Sequence, residues 1–336
     1  MDPLKKNRIS NTDLFVTSIG FGAATLGNLY KSVEEKQALA TLESVFDLQL
    51  NYLDVAPYYG YGLAEERVGK ILSQLPRNDF VISTKVGRLI RDEGVHDTEV
   101  FVGGNKEGII YDLSRDGVLR SIDESLNRLK IDSIDIIFMH DPDTHPEGRE
   151  KGYKVAIEEA YPTIHDLRSQ GVIKAIGAGM NESEMLIQFA KNGDFDCFLL
   201  AGRYTLIDHE SLDELLPLCV EKNISISLGG AYNSGILASD LKDPKRLKFN
   251  YTDASQEILD KAKKIKDVCD QYNISLKAAA LQFVYAHPAV ASVIIGASSP
   301  DRVKENYQMA SEPIPSEFWM QLKRNNLIPE HAPTPN

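Results

Sequence analysis

Short apolar runs alternate along this chain with stretches in which apolar residues recur at helical spacing, and the alternation repeats eight times. The runs, too short for helices, fall at residues 18–25, 51–55, 80–85, 134–140, 172–178, 197–201, 224–228 and 292–295 and read as buried strands. Helical patterns follow them at 33–48, 63–75, 114–129, 184–191, 211–222 and 301–309, and within 155–169 and 256–285. Such a series makes a parallel sheet joined by right-handed crossovers. With no linker between the units, a single domain over residues 1–336 is expected, and eight units favour an α/β (β/α)8 TIM barrel. An open doubly wound sheet is the alternative, because Gly20-Phe21-Gly22-Ala23-Ala24-Thr25 resembles the start of a GxGxxG fingerprint. The match is incomplete: Thr25 holds the sixth position, and Asp54 follows the glycines by about 30 residues where the fingerprint places its acid at ~20. Residues 8–17 alternate around Asn11-Thr12-Asp13 and predict an N-terminal β-hairpin covering one end of the fold. The C-terminal tail, 314–336, carries the single tryptophan, Trp319, and is expected to reach the barrel mouth.

Residues 51–72 concentrate polar chemistry between a strand and a helix. A strand interior tolerates a buried Asp poorly, so Asp54 belongs at a strand end. Pro57, Gly60 and Gly62 break the chain into a loop. Leu63, Val68, Ile71 and Leu72 then resume at helical spacing, with Glu65 and Glu66 in the first turn where the helix dipole favours anions. Tyr58 and Tyr59 therefore stand on a strand-to-helix loop. In a barrel, chemistry gathers at the C-terminal ends of the strands, and Asp54, Lys85, His140 and Asn181 all fall there or just beyond. Two connections are long, residues 86–113 and 229–255; both follow strands and should overhang the mouth.

Composition narrows the partners. The chain has 336 residues, 43% hydrophobic and 26% charged, enough for a sizeable core. A net charge of -12 argues against nucleic acid or an anionic membrane, both of which call for a basic face. There is no apolar run of ~18 residues, and the first ten residues lack a signal-peptide core. Cys197, Cys219 and Cys269 form no CxxC pair and read as reduced residues of a cytoplasmic protein. His140-Asp141-Pro142-Asp143-Thr144-His145 invites a metal reading, but further ligands are missing and no metal is expected.

Three separated segments carry a family signature: LDVAPYYGYGLAEERVG at 53–69, SIDESLNRLKIDSIDIIFMHDPD at 121–143 and IIGASSPDRVKENYQMA at 294–310. Together they resemble the aldo-keto reductases, NAD(P)-dependent oxidoreductases on a (β/α)8 barrel, over nearly the whole chain. The resemblance implies a catalytic set of Asp54, Tyr59, Lys85 and His140. Hydride exchange with a carbon bearing oxygen needs a partner for the hydroxyl proton, and Tyr59 suits that task. Lys85, held by Asp54, is expected to favour the phenolate; a shift of about three units corresponds to roughly 4 kcal/mol. His140 would orient the substrate oxygen.

Small residues before a helix at 296–299 offer backbone N–H groups to a phosphate. The resemblance assigns Gly296, Ala297, Ser298, Arg302, Glu305 and Asn306 to the adenosine end of the cofactor, and Met180 and Asn181 to the nicotinamide. Gly22, Ala23, Ala24, Asn233, Ser234, Gly235 and Leu237 complete the cofactor set, with Tyr232 as the aromatic that would stack. Relatives often carry a Lys for the 2′-phosphate near the position of Gly296, so NAD is expected, with NADP as the alternative. Tyr58 and Trp319 are assigned to the substrate. LLAGRYTLID, LGGAYNSGIL and KAIGAGMNESE look like the branch of aldose 1-dehydrogenases, L-galactose dehydrogenase and pyridoxal 4-dehydrogenase. The implied reaction is oxidation of a sugar hemiacetal (L-fucose, L-galactose or D-arabinose type) to a lactone. The alternatives are a pyridoxal or small-aldehyde enzyme and a non-catalytic nucleotide sensor. A sugar or aldehyde is the expected partner, and the chain is expected to be a monomer or homodimer.

Overall fold

The computed structural model describes residues 1–96, 100–243 and 247–335; the remainder of the long connections at 97–99 and 244–246 lies outside them. The chain opens with an antiparallel hairpin, β1 (Lys6–Arg8) and β2 (Phe15–Thr17). The first barrel strands are β3 (Ile19–Gly22), β4 (Tyr52–Asp54) and β5 (Val81–Val86). A second hairpin, β6 (Arg88–Arg91) with β7 (Gly108–Tyr111), stands in the connection after β5. The barrel continues with β8 (Ile136–His140), β9 (Ala175–Met180), β10 (Cys197–Ala201) and β11 (Ser225–Gly229). A third hairpin, β12 (Lys248–Phe249) and β13 (Thr252–Asp253), precedes the last barrel strand, β14 (Val290–Gly296). Each barrel strand pairs in parallel with the next, and β14 returns to β3 through Val293↔Ile19 to Gly296↔Gly22. That closing register excludes the open sheet and makes the fold a (β/α)8 barrel.

The strands read as apolar runs because both of their faces are covered. All six residues of β5 and all five of β8 are buried. The helices between them include α1 (Glu35–Asp47), α2 (Leu63–Leu72) and α3 (Arg115–Leu129), the last capped by Ser114, whose hydroxyl accepts from the Gly117 N–H. The expected helix within 155–169 is longer and broken: α4 (Arg149–Val155) runs through a π turn at Ala156–Ala160 into α5 (Tyr161–Ser169). Pro162 has no N–H to give the preceding turn, and the wider turn sits where that bond is missing. Further round come α6 (Ser183–Asn192), α7 (Leu215–Glu221), α8 (Gln256–Gln271), α9 (Leu276–Tyr285), α10 (Pro300–Ser311) and α11 (Ser316–Arg324).

The N-terminal hairpin plugs the barrel floor. Ile9, Leu14 and Val16 join Tyr52, Phe138 and Cys197 in one buried cluster inside the strands, and the Ser10 N–H donates to Ser225 Oγ at 2.8 Å. Asn7 fixes the plug laterally, its amide donating to the Ala291 carbonyl at 2.7 Å and to the Tyr285 hydroxyl at 3.1 Å. The tail does not behave as expected. Trp319 is 1% exposed and packs in the helical layer against Phe318 and Phe283, with ring centroids 4.9 and 6.4 Å away. Phe318, Trp319 and Leu322 form one apolar face of α11, and burying that face outweighs any reach toward the mouth.

Candidate active site

Asp54 ends β4, Lys85 lies near the end of β5 and His140 ends β8, so strand pairing alone brings three of the four expected side chains to one rim. Lys85 Nζ donates to Asp54 Oδ2 at 2.7 Å and to the Val55 carbonyl at 3.0 Å, while Ser83 Oγ donates to Asp54 Oδ1 at 2.8 Å. Asp54 and Lys85 are 2% and 1% exposed. A pair so deeply buried gains little net stability over an apolar pair and is costly to break.

Tyr59 arrives on the loop after β4. Its carbonyl accepts from the Ala64 N–H at 3.1 Å, at the start of α2. The loop is also pressed against the turn that follows β3, Ala23–Gly27: a Cβ at Gly60 would stand 2.4 Å from the Gly27 carbonyl oxygen, and one at Gly27 would stand 2.5 Å from the Tyr59 carbonyl carbon. Two glycines thus permit backbone contact at this crossing. Arg67, reaching from α2, donates to the Leu26 and Val33 carbonyls at 2.6 and 2.8 Å and clamps the same turn.

Tyr59 meets Lys85 differently from the sequence expectation. The ammonium lies 4.6 Å from the centre of the phenol ring, over its face, and its hydrogen bonds go to Asp54 and Val55. Burial, then the charges of Asp54 and Asp141, hold the Tyr59 phenol well above its ordinary pKa, with Arg88 opposing. The lowering expected from Lys85 is therefore absent from the protein alone, because burial disfavours the phenolate and the charges of Asp54 and Asp141 add to it. Burial, then Arg88 and Lys85, push His140 well below its ordinary value. His140 is a neutral imidazole at pH 7, its ring 6.0 Å from that of Tyr59 in an edge-on arrangement.

Tyr59, Lys85 and His140 line one cavity of about 390 Å³ at the C-terminal end of the strands, with Asp54 buried behind Lys85. Ala24, Met180, Asn181 and Tyr58 line it as well, as do three residues that the sequence did not single out, Arg88, Phe101 and Tyr111, and Asp141, which the sequence offered only within the stretch read for a metal. Arg88 and Tyr111 face each other across the β6–β7 hairpin. The signal for Asp141 was its place directly after His140. Tyr251, in the turn of the β12–β13 hairpin, also reaches the cavity and hydrogen-bonds to Asn181. Tyr232 does not line it, for its hydroxyl donates to Asn306 Oδ1 at 3.0 Å. The aromatic ring beside Asn181 in the cavity is that of Tyr251, contributed by a hairpin that carries no clear strand pattern.

The other cofactor candidates lie along the seam between β14 and β3. Gly22 and Gly296 are register partners, and Thr25 Oγ1 donates to the Ala297 carbonyl at 2.7 Å, which sets residues 22–25 beside 296–298. Ala23 is buried beneath this seam. Ser299 caps α10, accepting from the Arg302 N–H, and the Arg302 side chain is exposed. Glu305 pairs with Lys277 at 2.5 Å. Asn233, Ser234 and Gly235 form a run of left-handed residues with φ of 44°, 55° and 99°. The Leu237 side chain is fully buried in the core, and its N–H donates to the Tyr232 carbonyl.

A model of the aldo/keto reductase family matches residues 18–326. Pyridoxal 4-dehydrogenase of Microbacterium luteolum is 38% identical over 338 residues, covering 96% of this chain and 98% of that protein. D-threo-aldose 1-dehydrogenase of a Pseudomonas species is 36% identical over 323 residues, covering 94% and 96%. Among solved structures, the holo form of an aldo-keto reductase from Bacillus halodurans superposes with a TM-score of 0.75 at 27% identity, covering 96% of each chain. A closed eight-stranded barrel, a family match over nearly its full length and relatives aligned from end to end agree: this chain belongs to the aldo/keto reductase family and is an oxidoreductase.

Proposed function

We propose that this protein is an NAD-preferring dehydrogenase that oxidises the C1 hemiacetal of an aldose to a lactone. The observation that carries the reading is the convergence of Tyr59, Lys85 and His140 on one cavity, with Asp54 behind Lys85 and Arg88, Asp141, Thr144 and Asn181 as polar groups on a wall that is otherwise mostly apolar and aromatic. Its substrate class is supported by the 36% identity to an aldose 1-dehydrogenase. In the reaction the C1–H bond gives up a hydride and the C1 hydroxyl gives up its proton, leaving a carbonyl. A bound nicotinamide supplies the hydride acceptor.

The chain's own residues do the rest. Tyr59 takes the hydroxyl proton; Lys85, kept in place by Asp54, faces its ring and favours the charge that the phenol acquires on losing its own. Neutral His140 hydrogen-bonds the substrate oxygen and orients the C1 carbon. Met180 and Asn181 on the cavity wall, Gly22 to Ala24 beside Gly296 to Ser298, and the start of α10 with Arg302 form a continuous track that suits a dinucleotide. Residues 233–235 flank it. The want of a lysine near Gly296 favours NAD, since a 2′-phosphate then has one cation fewer to meet; Glu305 at the far end is already paired with Lys277.

The test is nucleotide reduction, followed by absorbance, with NAD and NADP against a panel of aldoses and pyridoxal. Activity with NAD on an L-fucose, L-galactose or D-arabinose type sugar, reduced about a thousandfold or more in Tyr59→Phe, is expected. Activity confined to pyridoxal would replace the substrate while keeping the chemistry. Nucleotide binding with no turnover of any aldehyde or aldose would sink the dehydrogenase reading.

A further inference from the structure

Beside His140 the cavity wall holds a second, partly buried ion pair. Arg88 is 5% exposed, and its Nη2 donates to Asp141 Oδ2 at 2.6 Å and to Thr144 Oγ1 at 3.1 Å. The guanidinium is held between two aromatic rings, 4.4 Å from the centre of Tyr58 and 5.0 Å from that of Tyr111. Tyr111 in turn shares a hydrogen bond of 2.9 Å with Thr144. Stacking of this kind fixes the plane of the guanidinium and hence the direction of its donors.

Two features show that the pair is built for more than cohesion. Arg88 Nε is buried and has no acceptor among the described residues, an arrangement that native interiors rarely tolerate. Asp141 holds a left-handed backbone with φ 44°, which costs a non-glycine residue roughly 1 kcal/mol or more. Its N–H donates to the Gly179 carbonyl at 3.0 Å, and this turn sets its carboxylate beside the reacting groups, with Oδ2 3.5 Å from His140 Nε2.

We propose that Arg88 and Asp141 form a hydroxyl-reading subsite, which anchors the hydroxyl groups next to the reacting carbon and selects polyhydroxylated substrates over simple aldehydes. The proposal rests on the dehydrogenase reading above for the reaction, though not for the binding. A sugar hydroxyl is both donor and acceptor; a carboxylate and an unpaired guanidinium N–H side by side offer it both partners. A ligand without hydroxyls leaves the Arg88 Nε–H unmatched, and an unmatched buried donor is what confers discrimination. The same pair lies within reach of His140, so the subsite fixes the distance from the anchored hydroxyl to the reacting carbon.

The experiment compares the intact enzyme with Arg88→Lys and Asp141→Asn, both close in size to the original, on a hydroxylated aldose and on a short aliphatic aldehyde assayed in the reductive direction. Saturation-transfer NMR of the aldose in the presence of NADH measures binding without turnover. The expected result is a KM for the aldose raised about tenfold to a hundredfold in each variant with the KM of the aliphatic aldehyde nearly unaffected, while any change in kcat, which the charges of Arg88 and Asp141 near His140 and Tyr59 can cause, is shared by the two substrates. Weaker NMR binding should accompany it. Removal of one hydroxyl from the sugar should reproduce the loss in the intact enzyme and cost the variants little. If the KM of both substrates rises equally, or if the aldose KM stays unchanged, the subsite is overturned. Variant-sensitive aldose binding without any aldose oxidation would uphold the subsite and reject the reaction. An intact enzyme that neither binds nor oxidises any aldose would reject both.

Discussion

Tyr59 lies in two opposed fields, with Lys85 over its ring and the carboxylates of Asp54 and Asp141 near by, and the phenol is held protonated. As proposed proton acceptor it must lose that proton before it can take another. Oxidation should therefore accelerate as pH rises from about 7 toward about 10, while carbonyl reduction, which uses the protonated phenol, should stay level over the same range. A profile flat across this range in both directions would remove Tyr59 from the role. Lys85→Met leaves Asp54 buried without its counter-ion and should lower the unfolding free energy by about 3–5 kcal/mol in urea titration. The double variant with Asp54→Asn should recover part of that loss. The cluster was legible through the resemblance, which brings Asp54, Tyr59, Lys85 and His140 together; taken singly, each could as well be a loop or capping residue, a solvated end or a satisfied core histidine. Direction was not legible: nothing in the order Asp54, Tyr59, Lys85 tells that the ammonium meets the ring face, or that Arg88 enters the same cavity from a hairpin.

The crossing of Gly27 and Gly60 is what holds the Tyr59 loop at its height over the barrel. Two substitutions separate its causes. Gly60 and Gly103 share nearly the same backbone, with φ 66° and 65°, but a Cβ at Gly103 would meet nothing within 4 Å. Gly103→Ala should cost about 1 kcal/mol, the strain of the left-handed backbone alone. Gly60→Ala should cost clearly more, since two backbones must part, and should also depress kcat. Equal melting temperatures for the two variants would show that the close approach carries no energy. At this scale the barrel strands and most helices follow from hydrophobic period. The hairpins at the mouth do not, because β6 and β7 are four residues each and β12 and β13 two each, too short for alternation to register. The contact partners of α11 were equally hidden, since an apolar face says that it will be buried without saying where.

For the whole molecule, acid sensitivity has a definable source. Burial pushes His287 down to about 4, so the folded protein keeps it neutral while the unfolded chain takes up a proton as pH falls through about 6.5. Its contribution to stability is complete above that value and is lost as pH drops toward 4, by about 3 kcal/mol at most. His287→Gln should flatten the dependence of the unfolding free energy on pH between those limits, while an unchanged slope would assign the sensitivity elsewhere. The eight-unit count made the barrel legible, and the closing pairing of β14 with β3 is the one contact on which the choice against an open sheet turned. Among the described residues no helix is long and apolar enough to cross a membrane. The plugged floor finally bears on traffic through the enzyme. With Ile9, Leu14 and Val16 sealing one end, everything that reaches Lys85 enters and departs by the same doorway. Whatever seats deepest must be first in and last out, so turnover acquires a compulsory sequence that product-inhibition patterns would display.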